Sequence, residues 1–238
     1  DGNVVRFNNG QGGGGVGSLR SNEVLGFGMG AGVAYAEMQS IRLSLADGAD
    51  NLFVESTHAN ESIIDGGDES GAGDTINIAA ISGPATINGE GGNDLIQVNY
   101  NVSGVQTFLS GVASDLLLRG GEDSDTYNIG LAGLDTATVD IIDGGVNGTD
   151  RISIFGNNGD NLFLFRANQV AGRGVVASYE VDENLLPVAG GFLERVNYRG
   201  DIENIEVDGR AGDDTFVFDD TLSGVVVRGG EGDDTFQV

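Results

Sequence analysis

Apolar residues recur at every second position in short runs along the chain, and glycine or aspartate interrupts each run. Ile76 and Ile78, Ile152 and Ile154, and Phe216 and Phe218 show this alternation. A period of two describes a strand with one buried face. An aliphatic residue two positions before a glycine turn (Ile64, Ile87, Leu118, Ile142, Val207, Val227) ends a preceding strand. No stretch has the 3.6-residue period of a helix, so the pattern predicts an all-β chain.

The runs share one grammar: an aliphatic residue, a polar residue, a glycine turn, an aspartate, then apolar residues two and four positions later. Six segments follow it, with their aspartates at Asp74, Asp94, Asp125, Asp150, Asp214 and Asp234. Two degenerate copies, at Asp50-Asn51 and Asp160-Asn161, place asparagine in the aspartate slot. Most steps between these landing points are 20–25 residues, the size of one turn of a β-solenoid. The step of 11 from Asp150 to Asn161 suggests two turns on neighbouring sides of one coil, and the step of 53 to Asp214 holds an insertion. Stacked coils bury a column of aliphatic side chains that no single coil buries alone. The expected fold is therefore a parallel β-solenoid, β-helix-like or β-roll-like, with Gly-Asp turns stacked along one edge. Its expected parts are 1–40 (N-terminal coils and a glycine-rich loop), 41–165 (solenoid coils), 166–202 (an insertion or degenerate coils) and 203–238 (the start of a second unit). Tyr35 to Tyr198 and Asp50 to Asp213 are each 163 residues apart, which suggests that second unit.

Composition narrows the function. Of 238 residues, 42 are glycine and two proline, with no collagen-like period. The 37 acids face 11 arginines and no lysine, a formal net charge of −26. That charge argues against nucleic acid and anionic membranes as partners. There is no cysteine for a disulfide or thiol chemistry, and no apolar run near the ~20 residues of a membrane helix. The opening Asp1-Gly2-Asn3-Val4 is not a signal peptide, which reads as a processed chain or a piece of a longer one.

The segment Gly229-Gly230-Glu231-Gly232-Asp233-Asp234-Thr235-Phe236-Gln237 fits the nonapeptide G-G-x-G-x-D-x-U-x in full. Gly89–Asp94 and Gly209–Asp214 fit with substitutions, and Gly120–Asp125 has aspartate in place of the fourth glycine. Here the chain resembles the hemolysin-type RTX family of secreted bacterial proteins, in the long-spaced form found in giant repeat proteins. The resemblance implies calcium held between stacked turns, with Asp94, Asp125, Asp214 and Asp234 as ligands and Asp74 and Asp150 as further candidates. Ca²⁺ takes six to eight oxygens, so two turns about 4.8 Å apart would have to share each ion. RTX repeats recur every nine residues. The longer spacing here implies that at most one edge is loaded, with two to five ions.

Other motifs lead nowhere stronger. His58 is the only histidine and cannot build a zinc site without cysteines. Gly10–Gly17 lacks the lysine and helix of a phosphate loop. The pairs Asp213/Asp214, Asp219/Asp220 and Asp233/Asp234 point to opposite faces of a strand rather than converging. Thr75, Thr126, Thr215 and Thr235 form a column broken by Leu95 and Arg151, too irregular for an ice-binding face. The expectation is a non-enzymatic, calcium-binding structural segment of a secreted or cell-surface bacterial protein (adhesin, fibre or surface layer), stacking end to end or continuing into further repeats. The competing reading is the body or export tail of a secreted polysaccharide-active enzyme or toxin.

Overall fold

The computed structural model describes residues 4–8, 14–107, 111–132, 138–179 and 193–238. Part of the glycine-rich loop and part of the expected insertion lie outside the described residues. Among the described residues there is no helix, and none therefore long and apolar enough to cross a membrane. The strands are β1 (Val4–Asn8), β2 (Val16–Arg20), β3 (Glu23–Gly26), β4 (Val33–Ala34), β5 (Ser40–Ser44), β6 (Asn51–Val54), β7 (Glu61–Ile78), β8 (Ala85–Val98), β9 (Leu116–Gly121) and β10 (Thr126–Gly130). They continue with β11 (Thr138–Ile141), β12 (Arg151–Phe155), β13 (Leu162–Asn168), β14 (Arg173–Tyr179), β15 (Leu193–Arg199), β16 (Asn204–Ala211), β17 (Thr215–Phe218), β18 (Val225–Glu231) and β19 (Thr235–Gln237). Together they make one large, mostly parallel sheet that does not close into a barrel.

The pairing falls into three parallel ladders. One runs β1–β5–β7–β8–β9–β11–β15. A second runs β2–β6–β7–β8–β10–β12–β16–β18. The third is β13–β17–β19. The long strands β7 and β8 cross from the first ladder to the second, with a register irregularity between Asp68 and Thr75 where the turn sits.

The register stacks like on like, which is why the alternation recurs. Ile64, Ile87, Leu118 and Ile141 form one buried column, and Leu52, Ile76, Ile96, Tyr127 and Ile152 another. In the third ladder Phe163, Phe216 and Phe236 stack face to face at 5.0 and 4.9 Å. Each fully buried aliphatic or aromatic side chain contributes roughly 1.5–3 kcal/mol, so the columns hold the layers together.

The register revises three readings of the sequence. Ile141, not Ile142, pairs with Leu118 and is buried. Asn51 pairs with Thr75, so Asp50 itself fills the aspartate slot that Asn51 was expected to occupy. The 163-residue spacing does not relate equivalent positions: Tyr35 lies between β4 and β5 whereas Tyr198 is inside β15, and the buried counterpart of Asp50 is Asp214 rather than the exposed Asp213. Between Leu162 and Arg199 the parallel order gives way to the antiparallel run β13–β14–β15.

Candidate metal centre

The recurring aspartates end the turns that lead into the second and third ladders. There the backbone N–H of each aspartate has no strand carbonyl to meet, and the side chain of the following layer supplies the acceptor instead. The Asp50 N–H donates to Asp74 Oδ1 at 2.8 Å, Asp74 to Asp94 at 2.7 Å, Asp94 to Asp125 at 2.8 Å and Asp125 to Asp150 at 2.8 Å. Gly15 N–H opens the column on Asp50, and Glu203 Oε2 accepts from the Asp150 N–H at 2.8 Å. A second column starts at Asn161, whose N–H donates to Asp214 Oδ1 at 2.9 Å, and Asp214 donates to Asp234 at 3.0 Å. The turns thus stack in two columns rather than along one edge. The aspartate carboxylates are turned inward onto backbone N–H groups, and all but the partly exposed Asp234 are buried, whereas Glu203 at the end of the first column is exposed.

The opening glycine of each turn faces this carboxylate. A Cβ at Gly89, Gly120, Gly209 or Gly229 would lie 2.0, 1.9, 2.1 or 1.9 Å from Oδ2 of its own turn's aspartate. Glycine is required at these positions for close approach. Positive φ is needed one residue later, at Glu90, Gly121, Gly144, Arg210 and Gly230.

One layer breaks this rule. Gly66, Gly89 and Gly120 are in register, and two residues beyond the Leu118–Ile141 pair the position matching Gly120 is Asp143. The turn from Asp143 to Asp150 is two residues longer than that from Gly120 to Asp125, which makes room for the extra side chain. Asp125, Asp143 and Asp150 are all buried, and one carboxylate oxygen from each lies within 4.8 Å of the others. Tyr127 stands in the otherwise aliphatic column of the second ladder, and its hydroxyl donates to Asp143 Oδ1 at 2.7 Å. Gly145 N–H donates to Asp143 Oδ2 at 3.2 Å. Asp125 Oδ2 is buried with no hydrogen-bond partner.

The electrostatics follow from burial without a counter-charge. Asp125 is pushed up to about 8, first by desolvation; the Asp94 N–H opposes this, while the charges of Asp94, Asp143 and Asp150 add to it. Asp150 rises to about 7, again first by desolvation and then through Asp143. Burial and the neighbouring Asp143 hold the Tyr127 hydroxyl well above its ordinary range. In the second column desolvation raises Asp214 to about 6, opposed by hydrogen bonds from Asn161. Elsewhere a buried acid is matched: Arg42 Nε sits 2.7 Å from Asp65. Among the described residues no arginine pairs with Asp125, Asp143 or Asp150.

A divalent cation fits these residues. The donors are all oxygens, which selects a hard ion such as Ca²⁺ or Mg²⁺. The partnerless Asp125 Oδ2 is the atom such an ion would satisfy. Of the six aspartates expected as ligands, the structure brings Asp125 and Asp150 together with Asp143. Asp74, Asp94, Asp214 and Asp234 join no such group of three among the described residues. Asp143 and Tyr127 were missed in the sequence, although each is the odd residue in its column, an acid among glycines and an aromatic among aliphatics. No protein family, curated protein or solved structure matches the chain.

Proposed function

We propose that the chain is a calcium-binding β-solenoid segment of a large secreted or cell-surface bacterial protein, an RTX-like repeat in its long-spaced form, serving as an adhesin, fibre or surface-layer component. The observation that carries this reading is the buried Asp125–Asp143–Asp150 group. Asp125 belongs to one layer, and Asp143 and Asp150 to the next. A single cation shared among them would tie two layers together and cancel charge that otherwise opposes their stacking. Because the unfolded chain has no such site, binding energy becomes folding energy. The repetition of one layer along three ladders supports a structural role.

The test is metal analysis of the purified chain together with thermal melting in calcium, in magnesium and after chelation. The expected result is bound calcium and a melting midpoint that falls on chelation and returns with calcium. A metal-free protein whose midpoint ignores both chelator and added ion overturns the reading.

A further inference from the structure

Four of the 11 arginines (Arg166, Arg173, Arg195 and Arg199) lie in the antiparallel run β13–β14–β15. The described residues of that run hold one acid, Glu194, which is buried and accepts the Ala132 N–H at 3.1 Å. On a chain of net charge −26 the described residues of this run are locally basic, although Asp140 and Asp219 reach it from neighbouring strands. Arg173 and Arg199 sit directly opposite one another across β14 and β15, where like charges destabilise a sheet. Their neighbours are satisfied: Arg195 donates to Thr138 Oγ1 at 2.9 Å, Asn197 to Asp140 Oδ1 at 2.6 Å, and Arg166 pairs with Asp219 at 2.8 Å. Among the described residues neither Arg173 nor Arg199 has an ion pair or side-chain hydrogen bond.

Arg173 and Arg199 both line a groove of about 400 Å³, together with the aliphatic Leu117, Ile142 and Val175, with Asn197, and with Asp140, whose carboxylate is held by Asn197. Arg173 and Val175 also line a second hollow of about 450 Å³ beside Arg166 and Gln169. The two hollows share Arg173 and Val175 and together form a channel over the adjacent strands β9, β11, β15, β14 and β13, a width of roughly 19 Å at one strand spacing per step.

We propose that this channel binds an acidic saccharide chain, a carboxylate-bearing sugar polymer, with Arg173 and Arg199 as its carboxylate clamps. The occupant follows from the groups offered. Guanidinium forks match carboxylates; the amide nitrogens of Asn197 and Gln169 are engaged by Asp140 and Thr221, which leaves their oxygens as acceptors for hydroxyls; and the aliphatic residues match the C–H faces of sugar rings. The backbone of β14 is paired on both sides, so the channel offers no edge for an added peptide strand. Its apolar floor is shallow and broken by arginines, without the large buried anchor pocket that a protein partner needs. The net charge of −26 opposes every polyanion, nucleic acid and polyuronate alike, so recognition has to come from the local arginine pair. This inference does not rest on the cation reading.

The test is calorimetric titration of the full chain, at one fixed calcium concentration, with a galacturonate hexamer and with its methyl ester. The wild-type chain is expected to bind the acid and not the ester. Arg173→Gln with Arg199→Gln is expected to lower affinity at least tenfold. Arg20→Gln, which removes one positive charge from a site paired with Glu55, is expected to leave affinity unchanged, and each single variant, Arg173→Gln or Arg199→Gln, to lower it. The double variant keeps or raises the melting midpoint, because it removes a like-charge pair. Equal binding of acid and ester, or no loss in the double variant, overturns the proposal. So does light scattering that shows the two arginines governing self-association while the saccharide fails to bind.

Discussion

Two successive turns of this molecule join the same two ladders and differ at the residue that opens them and in length. In the turn from Gly120 to Asp125, the glycine leaves the space that the carboxylate fills. In the turn from Asp143 to Asp150, a second carboxylate takes the glycine's place and the loop lengthens to admit it. The first turn sets one Asp125 oxygen on a backbone N–H and leaves the other buried and partnerless against Gly120. The second gathers three buried acids around Tyr127 and has no counter-charge of its own. Repetition shows what each position must do for the fold. A departure that buries an extra acid marks where a role beyond the fold is to be sought.

The difference can be broken most severely from the regular side. Gly120→Ala puts a methyl group against Asp125 Oδ2 and the Tyr127 hydroxyl, 1.9 and 2.4 Å away, in a packed interior. It is expected to cost about 3 kcal/mol, read as a lower urea midpoint with an unchanged slope. The same substitution at Gly144, where a Cβ meets nothing within 4 Å but φ is +89°, costs less, since only backbone strain is added.

Asp143→Gly sharpens the comparison by converting the exceptional turn to the common form. Calcium at a hundred times its Kd stabilises a folded protein by about 2.7 kcal/mol. The variant is expected to lose that increment while its calcium-free midpoint stays the same or rises. A calcium-dependent shift that survives the substitution would place the ion elsewhere, and the stacked turns of Asp74 and Asp94 would be the next to test.

The smallest effect tests the second column. Asp214 is raised to about 6 in the folded chain from an ordinary value near 3.8. A carboxyl whose folded value is raised binds its proton more tightly when folded. Its contribution is therefore fully present below about 3.8 and is lost as pH rises through about 6. Relative to Asp214→Asn, the wild-type chain is expected to gain stability on acidification from pH 6 to pH 4. Parallel urea midpoints for the two proteins across that range would show that Asp214 does not titrate there.

Much of the fold was legible because the repeat states the same physics several times. The alternation at Ile76/Ile78 and Phe216/Phe218, and the Gly-to-Asp spacing of five at Gly89, Gly120, Gly209 and Gly229, are strand and turn in plain form. The candidate site was half legible. Asp125 and Asp150 carry the motif, but Asp143 was hidden by the adjacent aliphatics Ile141 and Ile142, either of which satisfies an alternating pattern. A one-residue slip turns a strand's inward face outward, and here it turned an interior carboxylate into a spacer. The strand β14 was illegible for a different reason. It pairs antiparallel on both sides and ends in no Gly-Asp turn, so the grammar of the remaining layers does not describe it.

The inner hydrogen bonds all run one way along the stack. Asp74 closes on the N–H of Asp50, Asp94 on that of Asp74, and Asp125 on that of Asp94. The outer row runs the other way, Asp213 donating back to Asp160 and Asp233 back to Asp213. In the second column the turn of Asp213 and Asp214 is thus latched by its successor within and by its predecessor without. A chain delivered from its amino end holds each newest layer of that column with one latch shut and one open until the next arrives, so assembly there is directional and the growing front is its softest part.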